Sequence, residues 1–245
     1  MPQGWEHKRI GDICKTNQRT YSLSENWSFV NYLDTGNITE NRIDEIQHII
    51  IGQDTLPSRA RRKVTVNDII YSTVRPNQRH YGIVKEVMPN MLVSTGFTVI
   101  SVDKAVADSD FVYYYLMQND VVNGLHAIGE QSVSAYPSIK PSDIEGLELL
   151  LPPLSEQIEI GHTLRALDDK IENNTKINHH LASLRSAMDN SPDIKRGKSA
   201  SRSLARRRFS SLFPRIWANS GSIKSLNSCI SSALGTTTGS ALRFA

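Results

Sequence analysis

A chain of 245 residues has room for one domain of ~150 residues plus appendages, and its 39% hydrophobic and 22% charged residues are ordinary for a soluble protein. The formal charge of +3 hides an uneven distribution: from Pro192 onward ten Lys/Arg face one acid, Asp193, leaving 18 basic against 24 acidic residues before it. That excludes a global argument from basic charge to nucleic acid. Cys14 and Cys229 lack metal-spaced His partners, which excludes a zinc site or disulfide framework; without a signal peptide or a bilayer-length apolar run, the chain reads as cytoplasmic, with no membrane partner.

Up to about residue 30, polar turns alternate with single aromatics, and Trp5, Ile10, Ile13 and Cys14 are expected to face inward from a short helix or strand. Residues 29–33 read as a strand ending at the Asp34-Thr35-Gly36-Asn37 turn, and residues 43–51 as a second β-rich stretch. Arg59, Arg61, Arg62 and Lys63 precede a strand predicted at 64–66. Residues 68–74 form another, broken at Arg75-Pro76-Asn77-Gln78-Arg79-His80-Tyr81-Gly82. Between Arg59 and Lys85 lie seven basic residues and one acid, Asp68. Positive charge concentrated on one strand–loop–strand unit of an acidic body marks a candidate phosphate-facing surface. The loop's Arg75, Asn77, Gln78, Arg79 and Tyr81 carry groups that hydrogen-bond base edges as well as phosphates. The competing reading is a solvated loop whose Arg75 pairs with a local carboxylate.

Residues 91–94 and 97–102 are strand-like and separated by Gly96. Asp108-Ser109-Asp110 starts a predicted helix, with Phe111, Val112, Tyr115, Leu116 and Val122 buried and Gly124 near its end. A polar loop follows with Gln131, Ser132, Ser134 and Tyr136, then Lys140 and a final strand over 147–151. The body, residues 1–152, is therefore expected to be α+β: strands predominate and no βαβ alternation is seen.

Leu151-Pro152-Pro153 cannot continue a helix backwards and Ser155 is a good N-cap, so one long amphipathic helix is predicted from Leu154 to about Met188, within a segment spanning 153–190. Its stripe is Ile160, Leu164, Leu167, Ile171, Ile177, Leu181, Leu184 and Met188, with Asn174 inside it; steps of three and four residues suit packing against another helix. At ~1.5 Å per residue it would be roughly 50 Å long, the length of a spacer or assembly arm. Residues 191–245 are rich in Ser and Arg and lack periodicity, and are expected to be disordered. No phosphate-binding loop, dinucleotide fingerprint, metalloprotease motif or nucleophile elbow is present.

Leu149-Leu150-Leu151-Pro152-Pro153-Leu154-Ser155-Glu156-Gln157, followed by Leu164, Leu167, Asp168, Lys170, Ile171 and Asn174, closely resembles the conserved region of the specificity subunits of type I restriction–modification enzymes. The opening Pro2-Gln3-Gly4-Trp5, the Asp68-to-Pro76 segment and the loop from Gly129 to Ile139 resemble other parts of that family in the same order. The resemblance covers about residues 2–188. It implies a non-catalytic subunit that reads double-stranded DNA and binds adenine methyltransferase (methylation) subunits, and through them the restriction subunit. S-adenosylmethionine, ATP and Mg would sit on those partners, with no cofactor on this chain.

Family members carry two target-recognition domains joined by long antiparallel helices, whereas this chain has one domain and one such helix. The resemblance leaves open a half-sized subunit, pairing with a second copy or a companion half, and a remnant of an interrupted gene. On the recognition reading, base and phosphate contacts fall to Arg59, Arg61, Arg62, Lys63, Arg75, Asn77, Gln78, Arg79, Tyr81, Gln131, Ser132, Ser134, Tyr136 and Lys140. Helix pairing falls to Leu164, Leu167, Ile171, Asn174, Ile177, Leu181 and Leu184. The alternatives are a helical interaction protein that binds no DNA, and a nuclease or methyltransferase, which the missing motifs disfavour.

Overall fold

A computed structural model of the chain describes residues 4–131 and 137–190. In chain order come β1 (Glu6–Arg9), α1 (Ile10–Ile13), β2 (Cys14–Thr16), β3 (Phe29–Leu33), β4 (Ile38–Thr39), β5 (Arg42–Ile43), β6 (Gln47–Ile50), β7 (Ala60–Lys63), β8 (Ile69–Ser72) and β9 (Tyr81–Ile83). Then follow β10 (Met91–Ser94), β11 (Phe97–Val102), α2 (Ser109–Leu116), α3 (Asn119–Glu130), α4 (Pro141–Glu145), β12 (Glu148–Leu151) and α5 (Leu154–Asn190). The fold is a strand-rich α+β domain followed by a long helix. Contacts divide the chain into two units, Met1–Glu172 and Asn173–Ala245. The first holds every strand named above; residues 173–190 of the second are helical throughout.

Two four-stranded sheets form the body, in orders β6-β3-β10-β7 and β2-β11-β8-β9. Period-two alternation explains how one sequence fills three apolar layers. Leu33, Met91 and Val93 meet Ile70, Phe97 and Val99 in one cluster between the sheets. The intervening residues Val30, Tyr32 and Leu92 point the other way, into a cluster with Tyr21 and Ile49. From the second sheet, Ile69, Tyr71 and Ile100 pack with Ile10 and Ile13 of α1, Val112 and Leu116 of α2, and Val122 and Leu125 of α3. The β3–β10 pair is parallel, while its flanking pairs are antiparallel.

Several local expectations shift. The basic run does not precede a strand; most of it is the strand, because β7 spans Ala60–Lys63 and the chain turns at Val66-Asn67. The Asp68 carboxylate accepts from the Thr65 N–H at 2.6 Å and from its hydroxyl at 3.1 Å, and Asn67 takes φ of 72°, which together bend the chain off the sheet. The helix expected from Ser109 to near Gly124 is two, broken where Gln118 adopts ψ of 141°. Ser155 lies inside α5, and the Pro153 carbonyl accepts from the N–H groups of Glu156 and Gln157.

The start of α5 is locked rather than merely stopped. Gln157 is 1% exposed; its Oε1 accepts from Asp108 N at 2.9 Å and its Nε2 donates to Pro152 O at 2.8 Å and Val106 O at 3.3 Å. Gly161 lies so close to α2 that a Cβ there would stand 2.8 Å from Asp108 Oδ1. Farther along, Arg165 pairs with Asp110 at 3.3 Å and the Tyr114 hydroxyl donates to Asp168 at 2.8 Å. β1 pairs antiparallel with β12, and Trp5 Nε1 donates to Glu156 Oε2 at 3.1 Å.

Candidate nucleic-acid interface

Strand direction gathers a set of loops at one end of the two sheets. β3 and β10 run parallel and finish there, at the Thr35–Asn37 turn and at Thr95-Gly96; β7 and β11 begin there, and β8 ends there. The loop after β8 folds into a one-turn 3-10 helix, Pro76–Gln78, flanked by Arg75 and Arg79, both in the left-handed region. Pro76 fits its first position because its φ is pre-set and its missing N–H is not needed. Against this loop lies the segment after α3. Arg75 N donates to Pro137 O at 2.9 Å, Ile139 N donates to Thr73 O at 2.8 Å, and Val74 bridges Ser138 antiparallel. Residues 73–75 and 137–139, more than 60 positions apart in sequence and each bordering a loop expected to read bases, are thus hydrogen-bonded neighbours.

The candidate side chains divide into three groups. Asn77 and Gln78 are exposed on the loop, Gln131 is exposed just past α3, and exposed Lys140 precedes α4, its N–H donating to Asp143 at 2.6 Å. Arg75 is exposed beside them. Arg59 is exposed at the start of β7 and Arg61 is half-buried on it; neither enters an ion pair among the described residues.

A second group is tied up within the fold. Lys63 pairs with Glu25 and lies 5.2 Å from the centre of the Trp27 ring. Arg62, on the opposite face of β7, has its Nε buried without a partner, and burial lowers its guanidinium pKa. Arg79 pairs with Glu40 at 3.0 Å and donates to Asn119. Tyr81 is 1% exposed, its ring stacked 5.4 Å from that of Tyr71 and edge-on to that of Tyr113 at 6.3 Å. Here its ring is a core residue, and only its hydroxyl reaches the loop, 3.5 Å from Arg79 Nη1. The third group, Ser132, Ser134 and Tyr136, lies outside the described residues, as do Pro2 and Gln3 of the opening motif and the segment 191–245.

Sequence reading also overlooked neighbours at this end. Thr95 N donates to Arg59 O at 2.8 Å, and Thr35 abuts Gly96, where an added Cβ would meet its Cγ2 at 2.8 Å. Gly96 between two apolar runs was a legible turn signal, but the parallel pairing that brings Thr35 beside it was not. On α5, Leu164 is half-buried, whereas Leu167, Ile171, Ile177, Leu181 and Leu184 are 52%, 57%, 56%, 56% and 47% exposed, and Asn174 is exposed among them. No group of three His, Cys, Asp or Glu placed to hold a metal occurs among the described residues, and no described helix is long and apolar enough to cross a membrane.

Comparisons with known proteins identify the family and the fold. A family model described as the type I restriction modification DNA specificity domain matches residues 2–182. The specificity subunit of the type I restriction enzyme HindI from Haemophilus influenzae is 28% identical over 184 residues, which is 75% of this chain and 39% of that protein. Among solved structures, the HsdS subunit from Thermoanaerobacter tengcongensis superposes with a TM-score of 0.61 at 25% identity, covering 74% of this chain and 46% of that one. A chain from a structure concerned with complex assembly and conformational transition of the type I R-M system gives 0.61 at 26% identity, with the same coverage. This chain therefore spans less than half the length of these relatives. With a family model covering most of the chain and a fold shared with HsdS, the protein belongs to the type I restriction–modification specificity-subunit family.

Proposed function

We propose that this chain is the DNA-recognition subunit of a type I restriction–modification complex, its domain reading one half of a bipartite site in double-stranded DNA. The observation that carries the reading is the backbone pairing of residues 73–75 with 137–139. It presents Arg75, Asn77, Gln78, Gln131 and Lys140 from one end of the sheets in a chain that belongs to a DNA specificity family. In this reading Arg75, Asn77, Gln78 and Gln131, with Ser132, Ser134 and Tyr136, address base edges, while Arg59, Arg61 and Lys140 address phosphates. Arg62, Lys63, Arg79 and Tyr81 act behind that surface, holding its loops and strand in place through the contacts described above.

The chain itself is non-catalytic in this proposal. It docks adenine methyltransferase subunits, which hold S-adenosylmethionine, and through them the restriction subunit with its ATP and Mg. The exposed stripe of α5 pairs with a second helix of the same type, from another copy of this chain or from a companion half.

The test is Arg75→Ala in the complex assembled with its methylation subunits. If Arg75 makes a bidentate base contact, binding to the target weakens by ~1–3 kcal/mol and discrimination relaxes at one position. A loss that is uniform across sequences, with a shallower salt dependence, makes Arg75 a phosphate contact instead. Binding unaffected by the substitution removes it from the interface.

A further inference from the structure

Thr73 occupies a junction between the Arg75 loop, the β10–β11 turn and the segment after α3. Its N–H and its hydroxyl both donate to the Gly96 carbonyl, at 2.8 and 2.9 Å, and its own carbonyl accepts from Ile139 N at 2.8 Å. One residue therefore touches the β10–β11 turn with two donors and the segment after α3 with its acceptor. Each contact leads outward. Gly96 abuts Thr35 of the Thr35–Asn37 turn, and the adjoining Thr95 N donates to Arg59 O. Two residues along, Arg75 is bound through its N–H to Pro137 O and holds φ of 48°, a conformation uncommon for a residue with a side chain.

Most of this framework is main-chain and is kept by side-chain substitutions other than proline. The Thr73 hydroxyl is one of the side-chain exceptions, and Ser94 Oγ, which accepts from Gly96 N at 3.3 Å, is another. The Thr73 hydroxyl makes the side-chain bond that fixes the start of the Arg75 loop to Gly96, while Ser72 Oγ, accepting from Val74 N at 3.2 Å and donating to Val74 O at 3.0 Å, bends the next peptide. Base readout depends on side chains held within a fraction of an ångström of productive geometry, whereas phosphate attraction is long-ranged and tolerant of small shifts. A joint that sets loop spacing should therefore govern discrimination more than general affinity.

We infer that Thr73 is a positioning residue for DNA recognition, its hydroxyl holding the start of the Arg75 loop, and with it the paired 137–139 segment, at a fixed distance from the β10–β11 turn. The inference rests on the recognition reading above.

The experiment uses the full chain assembled with its methylation subunits. A target is selected from a randomised duplex pool, followed by titration against single-base-pair variants of it. A mismatched base pair ordinarily weakens specific binding by ~5- to 150-fold. Thr73→Val leaves Gly96 O its backbone donor, so no acceptor is orphaned and the unfolding midpoint stays within about 3 °C of the wild type. The ratio of affinities for target over variants is expected to fall about tenfold, with binding to random duplex unchanged, and Thr73→Ser is expected to restore it. Thr73→Ala, measured alongside, removes the hydroxyl without placing a second methyl against Gly96, so a packing defect peculiar to valine does not decide the outcome. If both hydroxyl-free variants discriminate as the wild type does, or lose affinity equally for every duplex, the joint is overturned while the recognition reading stands. If the wild-type complex itself prefers no sequence, the recognition reading fails and the inference falls with it.

Discussion

At the scale of single residues, Gln157 and Cys14 show how burial turns ordinary side chains into structural ones. Gln157 is the last residue of a motif that marked the helix by resemblance, yet nothing in that motif said what its amide does. In the fold both ends of the amide are used, on Asp108, Pro152 and Val106, at a site closed to water. Gln157→Leu strands a buried donor and two carbonyls, so a loss of about 2–4 kcal/mol is expected, with Gln157→Glu intermediate because it keeps the acceptor for Asp108 N. Urea unfolding of the full chain measures this, and a loss below ~1 kcal/mol would refute the lock. Cys14 is 3% exposed; burial first, then the Asp103 charge, pushes its thiol from 9.0 up to about 12. Burial likewise leads the rise of the Tyr32 phenol to about 12. Because the unfolded chain ionises first, the stability due to these groups is complete below about pH 9 and is lost as pH climbs toward 12. The urea midpoint should be level from pH 7 to 8.5 and decline above 9, and Cys14→Ala should decline less steeply between 9 and 10. Equal slopes for the two proteins would show that the thiol is not the titrating group.

At the scale of elements, the long helix carries two distinct faces. Gln157, Gly161, Arg165 and Asp168 face α2, whereas Ile160, Leu164, Leu167 and Ile171 lie roughly a quarter turn away at 100° per residue. The hydrophobic period was plain in the sequence. The docking face was not, because it consists of a Gly, an amide and charged groups, which patterning assigns to solvent. Gly161 gives an expectation of unusual sign. In an exposed helix interior Gly→Ala stabilises by ~1 kcal/mol, but here the methyl would press on Asp108 Oδ1 at 2.8 Å and Phe111 N at 3.3 Å. Asp108 Oδ1 cannot simply swing away, since it accepts from Phe111 N at 2.9 Å as the cap of α2. Gly161→Ala is therefore expected to destabilise by about 1–3 kcal/mol in thermal or urea unfolding, and a gain would show that the two helices separate easily. β7 teaches the companion lesson. Four basic residues in five positions looked like one phosphate-facing surface, but strand alternation sends Lys63 to Trp27 and Glu25 and Arg62 to the other face.

At the scale of the whole molecule, Leu167, Ile171, Ile177, Leu181 and Leu184 remain 47–57% exposed. Burying a Leu or Ile fully stabilises by roughly 1.5–3 kcal/mol, so covering several of them is ample to drive association. On the proposed helix pairing, the full chain sediments as a dimer at micromolar concentration, and Leu167→Asp with Leu181→Asp returns it to a folded monomer whose unfolding midpoint is lower and no longer depends on concentration. A wild-type monomer unaffected by both substitutions would defeat pairing between copies. Asn174 within the seam would favour one register at some cost in stability. Two identical chains paired antiparallel are related by a twofold axis, so their domains must read symmetric half-sites at fixed separation. Sequencing the methylated sites of a host carrying this chain and its methylation subunits checks this. An asymmetric site with no second specificity gene present would contradict the homodimer.

The sequence by itself determined the α+β class, the runs that became β3, β8, β10, β11 and β12, and the extent of α5, because those rest on local period, β-branched content and proline breaks. It also pointed to Arg75, Asn77, Gln78 and Gln131 as surface groups, because turn chemistry and polarity are local as well. Only the tertiary structure decided which of the candidates stand together. The parallel β3–β10 pair, the pairing of residues 73–75 with 137–139, and the packing of Gly161 on α2 each join residues more than 45 positions apart. Such contacts leave no local signal: a hydrogen bond between main-chain groups constrains geometry at both ends but residue type at neither, and what Gly161 must leave room for comes from a helix about 50 positions away. For the same reason Tyr81 reads as a polar aromatic in a loop and folds as core: the Tyr71 and Tyr113 rings that bury it come from other elements.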